Sequence, residues 1–265
     1  MKNYMKYEIK GTYKFILGIL AIVIIASTII QFSVIRELNF EWLDQMQGIS
    51  GFGAIVLLLS ALVIFGAFLA AFFYIIGSFR KELYEDRGYL TFTLPLTGNQ
   101  ILASKLIISM LWYGVLGLGI VLYNILLTTL LHGVEWFEAF KQFIDLVGGK
   151  LLSIGIFGGI SSIIMTLILI YFSMALSRVT IRNKKIGGIW FIIFIVLSLL
   201  TGYIALKIGE FLPYYLNLET MKIVHYYDLN PLSLNMNIFS QLTQIIITIG
   251  AFFATGYLIE KKIDL

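Results

Sequence analysis

The chain has 265 residues, 59% of them apolar and only 13% charged, with a formal net charge of +4 and no cysteine. That composition excludes an ordinary soluble domain, and the missing cysteine excludes disulfides, thiolate metal sites and cysteine nucleophiles. Cutting the sequence at every charged residue leaves six uncharged runs of 21 residues or more: Phe15 to Ile35, Gln45 to Phe79, Leu106 to Val134, Leu151 to Ser177, Ile186 to Leu206 and Leu229 to Ile259. Each is long enough, at about 1.5 Å per helical residue, to cross a hydrocarbon core of roughly 30 Å. The runs are continuously apolar instead of alternating, which argues against a transmembrane β-barrel. The expectation is an all-α integral membrane protein with six transmembrane helices, at about 15–35, 51–79, 98–131, 150–177, 187–206 and 236–259.

In chain order, Lys2, Lys6, Lys10 and Lys14 recur every fourth residue beside Tyr4, Met5, Tyr7 and Ile9. This pattern predicts an amphipathic helix over 1–14 lying on the inner membrane surface, with Gly11 at the bend into the first span. The 21 uncharged residues that follow exceed the core of a cleavable signal, so the first span is expected to stay as an anchor.

After the second span comes RKELYEDRGYLTFTLPLTGNQILASK, Arg80 to Lys105. Its charges prolong the second helix, Gly88 is the expected C-cap, Pro95 closes the segment, and Thr97 with Gln100 forms a capping-box pattern that opens the third helix. A stiff connection over 80–97 follows. Between the third and fourth spans, Trp136, Phe137, Phe140, Phe143, Ile144 and Val147 alternate with Glu135, Glu138, Lys141, Gln142 and Asp145, the pattern of an interfacial helix.

Glycine pairs Gly155/Gly159 and Gly66/Ala70 mark expected helix contacts. The stretch 207–235 is apolar but carries Glu210, Glu219, Asp228, Pro213 and Pro231. A pair of short re-entrant helices dipping into the outer leaflet is the expected solution. In the last span, Gln241, Gln244, Thr248 and Thr255 share a face that must meet protein or a wet pathway. A short tail, 260–265, closes the chain.

With both termini cytoplasmic, fourteen of the 19 Lys and Arg residues fall inside, and the outer segments hold five bases against nine acids. This positive-inside asymmetry sets the expected orientation and explains the pI near 9.1 without nucleic-acid binding. Basic inner segments also attract anionic lipid headgroups.

Several chemistries lack their residues. No phosphate-binding loop occurs, His132 and His225 have no partner at metal-ligand spacing, and no base stands near Ser161 or Ser162 for an intramembrane protease. No catalytic residue, bound cofactor or metal is assigned, and the chain is not expected to be an enzyme. The middle stretches of the spans carry no Asp, Glu, Lys or Arg, which weakens an ion-coupled carrier.

The stretch from Phe72 to Leu106, FFYIIGSFRKELYEDRGYLTFTLPLTGNQILASKL, resembles the inner loop of permease subunits in the ATP-binding-cassette (ABC) type-2 exporter family. The resemblance is most specific over Tyr84 to Pro95 and at Ser104 and Lys105, and the six-span plan with cytoplasmic termini is similar to that family's. It implies an ATPase-coupling loop made of Arg80, Lys81, Glu82, Leu83, Tyr84, Glu85, Asp86, Arg87, Gly88, Tyr89, Phe92 and Pro95, docking on cytoplasmic ATPase subunits that hold ATP and Mg. It further implies a second permease chain, identical or paralogous, and an amphipathic cargo such as an antimicrobial or cytotoxic peptide, a drug or a lipid. From spacing alone the same charges also suit a solvated helix end, and a membrane sensor, an assembly partner or an ion-coupled carrier remain as other classes. The isoleucine-rich composition suits an AT-rich genome, and a bacterial cell membrane is the expected location.

Overall fold

The computed structural model describes residues 1–38, 51–85, 95–132, 136–180, 188–218, 220–228 and 233–262. Its elements are α1 (Lys2–Leu38), α2 (Gly51–Tyr84), α3 (Gly98–His132), α4 (Trp136–Val147), α5 (Gly149–Thr180), α6 (Ile189–Phe211), β1 (Tyr214–Asn217), β2 (Ile223–His225), a 3-10 turn (Tyr226–Asp228), β3 (Asn235–Asn237) and α7 (Ile238–Lys261). Every helix except α4 contains a stretch long and apolar enough to cross a bilayer, six in all among the described residues. The chain is therefore a helical, multi-pass membrane protein. Its large apolar side chains are turned outward in number, among them Leu62, Phe65, Leu122, Phe157, Leu199 and Ile246, as lipid-facing surfaces require.

The chain forms two compact units, and α2 and α3 each contribute to both. One unit comprises Lys2–Ile75 and Ile107–Phe140. Here α1 runs parallel to α3 and is tied to it by neutral polar pairs. The Trp112 Nε1 donates to Thr12 Oγ1 at 2.9 Å, Thr28 bonds the Tyr123 hydroxyl, and Gln31 Nε2 donates to Asn124 Oδ1 at 2.9 Å. Between hydrocarbon-embedded helices such pairs supply specificity that apolar contact alone lacks.

These ties explain why α1 departs from expectation. The amphipathic segment 1–14 is not a separate helix: α1 continues unbroken through Gly11 for 37 residues. Tyr4, Thr12, Ile16, Ile19 and Val23 are buried along one of its faces. Tyr74 donates its hydroxyl to the Gly11 carbonyl at 3.4 Å and stacks on Phe15, so α2 braces the position where the sequence would permit a bend. Tertiary packing thereby overrides the weak helix propensity of glycine.

The other unit contains Ile76–Leu106 and Lys141–Leu265. In it α5, α6 and α7 pack on one another around Ile168, Leu169 and Ala251, with Leu106, Phe194 and Phe252 closing the cluster. The expected pair of short helices over 207–235 is replaced by other structure. Helix α6 persists to Phe211 and stops where Pro213 removes a backbone donor. The described residues beyond it form a three-stranded antiparallel sheet in the order β2-β1-β3. Tyr and β-branched residues suit strands, and Asn217 builds the β1–β2 turn by accepting the Thr220 N–H at 2.9 Å, with Met221 at φ 56°.

The amphipathic helix expected before the fourth span is α4, with Phe137 and Phe140 exposed beside exposed Glu138 and Lys141. Among the described residues, the glycines of the pairs Gly155/Gly159 and Gly66/Ala70 make no close helix contact. A Cβ added at Gly66, Gly155 or Gly159 would meet nothing within 4 Å.

Candidate coupling site at the α2–α3 connection

The ends of α2 and α3 that flank the 85–97 connection carry a cluster of polar bonds, including a buried ion pair. Ser78 and Glu82 lie one turn apart on α2, which aims both side chains at the same neighbour. That neighbour is Lys105, on the second turn of α3. Its Nζ donates to Glu82 Oε1 at 2.8 Å and to Ser78 Oγ at 3.0 Å. The Lys105 and Glu82 side chains are 4% and 9% exposed, so the pair is largely withdrawn from solvent. Ser104, fully buried beside them, donates to the Gln100 carbonyl.

Next to this pair the final turns of α2 lock onto α5. Phe79 and Tyr171, both buried, meet with ring centroids 4.2 Å apart. The Tyr84 hydroxyl donates to the Met174 carbonyl at 3.2 Å, and the Arg178 guanidinium carbon sits 5.8 Å from the centre of the Tyr84 ring. Cation–π contact of this kind orients the ring as well as stabilising it.

The start of α3 is held just as fully. Thr97 and Gln100 form the predicted capping box: Gln100 N–H donates to Thr97 Oγ1 at 3.3 Å, and Thr97 N–H donates to Gln100 Oε1 at 3.2 Å. The Gly98 N–H donates to Glu260 Oε2 on α7 at 3.2 Å, placing a carboxylate at the positive end of α3. Gly98 and Gly256 touch so closely that a Cβ on Gly98 would overlap the Gly256 backbone, and one on Gly256 would overlap the Asn99 side chain. Four helices, α2, α3, α5 and α7, are thus joined around the two feet of one connection.

The twelve residues of the expected coupling loop divide three ways. Arg80, Lys81, Glu85 and Pro95 are exposed, and Tyr84 is half-buried against α5. Glu82 and Leu83 are buried, so they belong to the internal brace and present no surface to a partner; the ion pair and the helix repeat turn them inward. Asp86, Arg87, Gly88, Tyr89 and Phe92 lie outside the described residues.

The four residues of the polar face expected in the last span lie on one continuous helix and differ in burial. Gln241 is exposed, Gln244 and Thr248 are half-buried, and Thr255 is buried beside Gly256 and Ile259. Thr248 and Thr255 donate to the carbonyls of Gln244 and Ala251, at 2.7 and 2.6 Å, so their hydroxyl protons are satisfied within α7.

Sequence reasoning missed Tyr171, Met174 and Arg178 on α5, and Glu260 on α7. Lys105 was the available signal: a lone base bordering an apolar run needs a carboxylate, and Glu82 stands on the matching end of the preceding helix. Among the described residues no group of three or more His, Asp or Glu is placed to hold a metal ion. No family model, no curated protein and no solved structure matches the chain.

Proposed function

We propose that this chain is the permease subunit of an ABC exporter of the type-2 kind, moving an amphipathic substrate outward with work supplied by separate ATPase subunits. The observation that carries this reading is the buried Glu82–Lys105 pair at the base of the α2–α3 connection. A loop that conveys force must not splay at its feet, and separating two buried charges is costly enough to keep α2 and α3 moving together. The Tyr84 bond to α5 and the Gly98 bond to α7 spread the same displacement into two further helices.

In this reading the connection is cytoplasmic and meets an ATPase that binds ATP and Mg. Exposed Arg80, Lys81 and Glu85 offer charge contacts of both signs, and the sequence continues with Asp86 and Arg87. Two permease chains, identical or paralogous, pair with two ATPase subunits. Nucleotide-driven closure tilts α2 and α3 as a block and alternates access to the pathway.

Affinity purification in mild detergent tests the proposal. The chain is expected to bring down a nucleotide-binding subunit, and the paired reversal Glu85→Lys, Asp86→Lys is expected to lower that recovery at least tenfold, the equivalent of about 1.4 kcal/mol. Recovery of the chain without any nucleotide-binding partner contradicts it.

A further inference from the structure

The sheet between α6 and α7 is built inside out relative to a soluble protein. Directly paired residues share a face and neighbours along a strand alternate, so the register sorts the side chains. Tyr214 pairs with His225, and Leu216 pairs with Ile223 on one side and Met236 on the other. These five residues form one face, and ring contact between Tyr214 and His225 agrees with that sorting. The opposite face holds Asn217, Asn235 and Asn237 with Tyr215 and Val224.

The asparagine face is the one turned into the protein. Asn217 is buried, and Asn237 donates to the carbonyls of Gly209 and Leu212 at the end of α6 while capping α7 through the Ser240 N–H. On the apolar face Ile223 is 65% exposed and Tyr214 is exposed as well, while Leu216, His225 and Met236 are half-buried; Tyr227, stacked on His225, is 87% exposed. An aqueous sheet shows the reverse arrangement, with polar residues outside.

We infer that the apolar face of this sheet, with Tyr227, is seated in the headgroup layer of the lipid bilayer. The patch is continuous with surfaces that already face lipid. Phe211, the last residue of α6, is 83% exposed immediately before β1, and α7 begins at the residue after β3. Both ends of the sheet are thereby fixed at the ends of spans. Tyr and His rings with an apolar body and a polar tip favour that layer. Depth is bounded as well, because the outer backbone edges of β2 and β3 need water and cannot enter the hydrocarbon core. The occupant is the lipid interface, and neither a second protein nor open solvent is required.

A chain free of native cysteine allows a direct test. Tyr227→Cys and Ile223→Cys, each labelled with a small environment-sensitive fluorophore, are reconstituted into phosphatidylcholine–phosphatidylglycerol vesicles. Lipids carrying a quencher near the headgroup or deep in the acyl chain are compared with iodide in the water. Both sites are side-chain-exposed, and unchanged thermal unfolding verifies that each variant is folded. The expected result is severalfold stronger quenching by the shallow lipid than by the deep one, with iodide quenching well below that of the free dye. Iodide quenching equal to the free dye, without lipid quenching, overturns the inference by placing the sheet in water. Protection from every quencher overturns it by placing another protein, such as a second copy of the chain, over the face.

Discussion

Two connections in this chain do the same topological work and are built on opposite principles. Between α2 and α3, the flanking helix ends are joined by a buried ion pair, a capping box, a carboxylate on a helix N-terminus and a glycine contact. Between α6 and α7, the described residues form a small sheet tied to the helices by neutral asparagine bonds, with its apolar face outward. Charge and steric interlock make the first connection stiff at its base. Hydrogen bonding without charge leaves the second as a surface element suited to lipid. Under the proposed function and the inferred lipid seating, the first is where force would enter the helices and the second is where the chain would rest against the bilayer.

The strongest way to break this comparison is at Lys105. Replacing it with Met removes the cation 2.8 Å from the buried Glu82 carboxylate and is expected to cost about 3–5 kcal/mol, read as a large drop in thermal unfolding temperature in detergent by tryptophan fluorescence. Adding Glu82→Leu to that variant should return most of the loss, since an apolar pair avoids the stranded charge. A double variant as unstable as the single one would show that the pair is not the unit that holds the two helix ends.

Gly98→Ala is the next largest effect, about 1–3 kcal/mol, because the new methyl group meets backbone of α7 that cannot rotate away. Gly256→Ala is expected to cost less, since its first obstacle is the Asn99 side chain. Equal losses in the same unfolding assay would argue against the close backbone approach.

At the other connection, Asn237→Ala removes a helix cap and two carbonyl contacts and is expected to cost about 1–2 kcal/mol. Hydrogen exchange should accelerate over 209–217 and 233–242 while the α2–α3 ends keep their protection. Acceleration at both connections would mean that the two are not independently held.

Much of the architecture was legible because the bilayer makes long apolar runs unambiguous, and the six spans follow from them. Thr97 and Gln100 were legible as a capping box because the motif is local, three residues apart. What the sequence concealed is non-local. Glu82 reads as one more charge beside Arg80 and Lys81, and only packing against α3, 23 residues away in sequence, turns it inward. Gly11 reads as a bend until Tyr74 and Trp112 hold α1 through it. The sheet was hidden because its strands are three or four residues long, too short for a period-two signal, and because β1 pairs with β3 across an intervening strand. Of the candidate site, the connection and Lys105 were visible in the sequence, whereas the contributions of α5 and α7 were not.

Vesicle reconstitution tests the central claim most directly. The purified chain is reconstituted with and without the proposed nucleotide-hydrolysing partner, and movement of a fluorescent amphipathic peptide across the membrane is followed on adding ATP. The account predicts movement only when the partner, ATP and Mg are all present, and loss of that movement in the Glu85→Lys, Asp86→Lys variant. Movement of equal rate in vesicles holding this chain alone would contradict it.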